Sequence, residues 1–148
     1  MANKTVRAPG LEILGFEKRT DLSLPMYLAR VEAGFPSPAD DFIDKSLDLN
    51  EFLIDNPTAT FFVRVSGDSM RDAGILSGDI LIVDRAKEAA HDKVVIAALN
   101  GELTVKRIRK QDGKVFLVPE NPAFPPIEIT EESDFQVWGV VTYVIHKV

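Results

Sequence analysis

The sequence predicts a mostly β fold of twisted antiparallel sheets and hairpins with an extended N-terminal arm. Two observations carry that expectation. From Thr60 onward, run after run is rich in Val, Ile, Leu and Phe and is bounded by turn residues. Two of these runs end in Asn100-Gly101 and Asp112-Gly113, dipeptides that accept the positive φ of a two-residue hairpin turn. At 148 residues and 45% hydrophobic content, the chain suits a single core plus an appendage.

Along the chain, residues 1–33 carry five Lys or Arg against four Asp or Glu, so the remainder holds −7 of the net −6. Leu22, Leu24, Met26 and Leu28 recur at every second position, the period of an extended strand, and Pro25 would break a helix there. An arm and an edge strand of the main sheet both fit that pattern. Gly34, Pro36 and Pro38 then mark a joint, because glycine frees the backbone and proline favours extended geometry before it. Between Asp40 and Asn56, the spacing of Phe42, Ile43, Leu47, Phe52, Leu53 and Ile54 predicts one or two short helical turns, capped by Asp48 or Asn50. Strands are expected over Thr60–Val65, Asp79–Asp84, Val94–Leu99, Glu102–Ile108, Lys114–Pro119 and Phe135–Lys147. The last is apolar on both sides, with Phe135, Val137, Val141, Tyr143 and Ile145 on one and Trp138, Val140 and Val144 on the other. Such a strand is expected to be covered twice, by the core and by a second subunit.

Composition narrows the function. Without cysteine there is no disulfide, thiol nucleophile or cysteine-zinc cluster, which points to the cytoplasm. No apolar run has the length of a membrane span, and the N-terminus lacks the order of a signal peptide. A net charge of −6 argues against direct, sequence-specific DNA binding, which needs clustered cations.

Chemistry concentrates in Ser66-Gly67-Asp68-Ser69-Met70, directly after one strand, and in Lys106, within another. A serine hydroxyl becomes a nucleophile when a base takes its proton, and a lysine can serve only while neutral. Desolvation is what disfavours the ammonium form. Gly67 permits a tight turn that exposes the hydroxyl, and the backbone N–H groups of Ser69 and Met70 are candidates to stabilise an oxyanion. Spacing alone favours a capping serine and a solvated strand lysine over a catalytic pair. Asp68, Asp72, Asp79 and Asp84 lie on different segments without ligand-loop spacing and read as a solvated face, with no metal or cofactor expected. His91 and His146 are isolated in sequence, and Arg107, Arg109 and Lys110 read as the outer face of a hairpin.

Four motifs stand in order: Ala33-Gly34-Phe35-Pro36-Ser37-Pro38-Ala39, Ser66-Gly67-Asp68-Ser69-Met70, Gly78-Asp79-Ile80-Leu81-Ile82-Val83-Asp84 and Gly101-Glu102-Leu103-Thr104-Val105-Lys106. Through them the sequence resembles the LexA/UmuD family of self-cleaving serine peptidases from about Val31 to the C-terminus. Ser69 also stands 36 residues beyond Ala33, the family's interval between cut and nucleophile. The resemblance implies Ser69 as nucleophile, Lys106 as general base and Ala33-Gly34 as the scissile bond. It divides the chain into a removable arm, 1–33, and a peptidase and dimerisation domain, 34–148. It also implies stimulation by a RecA filament on single-stranded DNA, and a cleaved homodimer that joins a UmuC-like translesion polymerase in the SOS response. Repressors of the family carry a longer helix-turn-helix domain, which the 33 residues before the cut do not resemble. A LexA-like or phage-type regulator and a non-cleaving interaction module are the alternatives.

Overall fold

The computed structural model describes the backbone of residues 5–8, 10–18, 23–27 and 43–148. In chain order the strands are β1 (Thr5–Ala8), β2 (Leu11–Gly15), β3 (Ser23–Tyr27), β4 (Ile43–Asp48), β5 (Thr60–Val65), β6 (Ile80–Asp84), β7 (Val94–Leu99), β8 (Glu102–Gln111), β9 (Lys114–Val118), β10 (Ile127–Ile129) and β11 (Phe135–Ile145). A short helix, α1 (Leu49–Leu53), follows β4. The protein is mostly β, as its sequence predicts.

Two compact units result, one from Met1–Glu17 with Asn56–Val148 and one from Lys18–Asp55. In the smaller, β3 pairs antiparallel with β4, with Leu24 opposite Leu47. This corrects the expectation of helix across Asp40–Asn56. Ile43 to Asp48 is strand, because cross-strand pairing overrides the local apolar spacing, and only Leu49–Leu53 turns helical. Asp48 is the cap, its carboxylate accepting from the Asn50 N–H at 2.9 Å. Leu22, Leu28 and Phe42 lie outside the described residues, as do Ala33 and Gly34 of the expected cut.

The larger unit is one nine-stranded sheet in the order β1-β2-β5-β6-β11-β7-β8-β9-β10. Its first two strands were not foreseen; β2 pairs along β5 from Leu11 opposite Val65 to Gly15 opposite Phe61. Two hairpins close where the dipeptides predicted them. Asn100 and Gly101 have φ of 50° and 84°, and Asp112 and Gly113 have 51° and 73°, the positive values of a type I′ turn. The second closes on the pair Gln111 and Lys114, so β8 runs three residues past the predicted Ile108 to reach it.

Alternation along β7 divides the core in two. Ile96 joins Leu11, Val63, Val65, Met70, Ile75, Leu81, Val83 and Val105, while Val95 and Ala97 join Ile108, Leu117 and Val140. Each such fully buried aliphatic side chain contributes about 1.5–3 kcal/mol. β11 departs from simple alternation, with irregularities between Val137 and Gly139 and between Val141 and Tyr143. The first shift moves Val141 to the cluster of Trp138 and leaves Val140 with Phe135 and Val137, so the predicted two-sided pattern is corrected by a bulge, which adds a residue without a partner. Gly139 lets β11 approach β6, since a Cβ there would stand 2.7 Å from Val83 Cγ1 and 3.1 Å from the Asp84 carbonyl oxygen. Beyond it, Tyr143, Val144 and Ile145 are exposed.

Two of the four aspartates expected on a solvated face are instead buried, Asp79 at 3% exposure and Asp84 at 2%. Each is hydrogen-bonded, which makes burial tolerable. Asp84 accepts from Asn56 Nδ2 and the Ala86 N–H, both at 2.8 Å. Asp79 accepts from the Leu76 N–H at 2.8 Å and lies 2.6 Å from His146 Nδ1. Among the described residues no group of His, Asp and Glu is arranged to hold a metal.

Candidate active site

Ser69 stands just beyond the end of β5, and the strand end is held from both sides. The Ser66 N–H donates to the Gly10 carbonyl at 2.8 Å; on the other side the Val65 N–H donates to the Asp79 carbonyl at 2.9 Å and the Gly78 N–H to the Val65 carbonyl at 2.7 Å. Gly67 then turns the chain with φ 98°, a value that favours glycine. Space is not its role, since an added Cβ would meet nothing within 4 Å. A hydrogen-bonded turn follows, with the Arg71 N–H on the Asp68 carbonyl at 3.2 Å and the Ala73 N–H on the Met70 carbonyl at 3.1 Å. Met70, 1% exposed, sinks into the core and anchors the turn, leaving Ser69 partly exposed beside it.

Lys106 arrives from β8. Val105 points into the core, so alternation turns Lys106 to the opposite face together with Thr104. Its Nζ lies 3.3 Å from Ser69 Oγ, 2.8 Å from Thr104 Oγ1 and 3.0 Å from the Val105 carbonyl oxygen. Burial holds its pKa below the ordinary lysine value, because desolvation penalises the ammonium. Three contacts suit either protonation state. As ammonium, Nζ donates to all three acceptors. As neutral amine, two N–H groups serve Thr104 and Val105, and the lone pair faces the Ser69 hydroxyl. An amine so placed can receive the serine proton.

The structure therefore brings together Ser69, Met70 and Lys106, which 37 residues of sequence separate from the serine. Two features escaped the sequence reading. Thr104 orients the amine, and its place two residues before Lys106 on a strand is the signal that could have found it. Asn121, from the loop after β9, donates from Nδ2 to the Asp68 carbonyl at 2.9 Å. Only its setting between Pro119 and Pro122 hinted at a structured loop. Arg109 lies 3.4 Å from Asp92 on the outside of the hairpin, as read, whereas Arg107 pairs with Glu120.

Fold and site define a β-sheet domain with a partly buried serine–lysine pair. The Peptidase S24-like family model matches residues 25–142, and the chain belongs to that family. It is 46% identical over 123 residues to Protein SamA of Salmonella typhimurium, covering 83% of this chain and 85% of that protein. It is 43% identical to Protein ImpA of Escherichia coli, covering 83% of each. LexA repressor 1 of Pseudomonas syringae pv. tomato is 39% identical over 139 residues, 93% of this chain and 68% of that protein.

Proposed function

We propose that the protein is a self-cleaving serine endopeptidase that cuts its own Ala33–Gly34 bond, and that the observation carrying this is the lysine amine, shifted toward neutrality by burial, 3.3 Å from a serine hydroxyl. Ser69 Oγ attacks the Ala33 carbonyl carbon while neutral Lys106 Nζ takes the hydroxyl proton. Charge gathers on the carbonyl oxygen, where the N–H groups of Ser69 and Met70 stabilise it. The intermediate then collapses, breaking the C–N bond. The Lys106 ammonium gives its proton to the departing Gly34 nitrogen, leaving residues 1–33 esterified to Ser69. Water attacks that ester with Lys106 again accepting the proton, which it returns to Ser69 Oγ as the ester bond breaks, and Ala33 leaves as a carboxylic acid that ionises in solvent. Small side chains at the bond let an extended backbone approach the serine closely.

In this reading the Ala33–Gly34 bond seldom occupies the site, and a RecA filament that favours the docked form raises its occupancy. The product is a two-fold homodimer in the cytoplasm that supports a UmuC-like translesion polymerase. Exposed Tyr143, Val144 and Ile145 at the end of β11 support such a pairing. The likeness to a LexA repressor favours a second reading, a transcriptional regulator, which specific binding to operator DNA would reveal.

The test is an intact-mass time course of wild type, Ser69→Ala and Lys106→Ala, with and without RecA, ATP and single-stranded DNA. Loss of residues 1–33 from wild type alone, faster with the filament, is expected. A wild-type chain left whole under the filament and at pH 10 overturns the reading and leaves the interaction module.

A further inference from the structure

The loop from Pro119 to Pro126 bends over the Ser69 turn, and Asn121 is its buried polar residue, 6% exposed. Both ends of its amide are used. Oδ1 accepts from the Ala123 N–H at 3.0 Å, closing the loop on itself, and Nδ2 reaches across 53 residues of sequence to the Asp68 carbonyl at 2.9 Å. The two partners fix the orientation of the amide, since a flip would face donor with donor and acceptor with acceptor. The loop is tied down at a second point, where the Glu120 carbonyl accepts from the Asp72 N–H at 2.8 Å. The Glu120 carboxylate meets Arg107, the neighbour of Lys106. One loop thus joins the serine turn to the lysine strand.

Asp68 precedes Ser69, and their peptide is planar and trans, so the Asp68 carbonyl and the Ser69 N–H point in opposite directions from one rigid plane. A group that holds the carbonyl also aims the N–H. Among the described residues the Ser69 N–H donates to no protein acceptor, which leaves it available to a developing oxyanion. Resting on the peptidase reading above, we infer that Asn121 is a positioning residue: by holding the Asp68 carbonyl at 2.9 Å, beside the longer 3.2 Å bond from the Arg71 N–H, it aims the Ser69 N–H at the oxygen on which charge develops. Hydrogen bonds weaken steeply with misalignment, and loss of an oxyanion donor outright slows such reactions by about 10²–10³. A misaimed donor costs less, about 10- to 100-fold.

Asn121→Asp and Asn121→Ser separate this role from loop folding. Each retains an oxygen for the Ala123 N–H; the aspartate has no donor for the Asp68 carbonyl, and the shorter serine does not span both partners. The rate of self-cleavage across pH, and the rate at which a fluorophosphonate labels Ser69 by displacing fluoride, are compared with wild type. Both rates fall about 10- to 100-fold in folded protein, and in Asn121→Ser, which adds no charge, by the same factor at every pH. Rates within twofold of wild type overturn the inference, as does an Asn121→Ser reaction whose pH midpoint has moved, since that places the effect on Lys106. If wild type neither cuts itself nor takes the label, the peptidase reading fails first and carries the inference with it.

Discussion

The buried carboxylate of Asp79 lies 2.6 Å from Nδ1 of His146, joining the residue before β6 to the residue after β11. The pair is unequal, since the Asp79 side chain is 2% exposed and that of His146 46%. Asp79→Ala also strands the Leu76 N–H, which donates to the other carboxylate oxygen. Hydrogen bonds to a charged group are worth about 1.5–3 kcal/mol, so Asp79→Ala should destabilise by that order and His146→Ala by less. Urea midpoints check the order; a larger loss for His146→Ala would contradict it.

Cleavage should accelerate with alkalinity. In the proposed mechanism the active form of Lys106 is the neutral amine, and burial lowers the pKa at which it appears, so the rate rises from neutral pH and levels off below the range of an ordinary lysine. A filament-free rate that stays flat from pH 7 to 10 would remove Lys106 from the role of base.

The same burial has an effect on stability of definite sign. A lysine whose folded pKa lies below its unfolded value binds fewer protons when folded, so stability rises with pH between the two values. The cost is fully present below the folded pKa and gone above the unfolded one. Lys106→Met should therefore melt higher than wild type at pH 7, by a few °C, and lose that advantage at alkaline pH. An advantage unchanged by pH would contradict the assignment.

Gly139→Ala should destabilise without touching the site. Its Cβ would stand 2.7 Å from Val83 Cγ1, and Val83 is fully buried in β6. Such overpacking costs about 1–3 kcal/mol. A denaturant midpoint equal to wild type would show that β6 and β11 can part more easily than their contact suggests.

What the sequence disclosed was local. Asn100-Gly101 and Asp112-Gly113 specify their own turns, and Thr60–Val65 and Val94–Leu99 are strands over the predicted residues. Ser69 and Lys106 were legible as a pair through their motifs, but their separation of 3.3 Å is a product of the sheet. Leu11–Gly15 is too short to announce itself, and β5 makes it a strand. Asp79 gave no sign of burial, because its partner lies 67 residues away. The irregularities of β11 were hidden for a similar reason, since a bulge is defined by the strands on either side.

The position of β11 carries a further consequence. Although last in the order of strands, it lies between β6 and β7, and among the described residues it is the strand that joins the part of the sheet next to Ser69 to the part that carries Lys106. In the peptidase proposed above, the strand pairing that sets serine against amine thus rests on residues 135–145, which are synthesised after both.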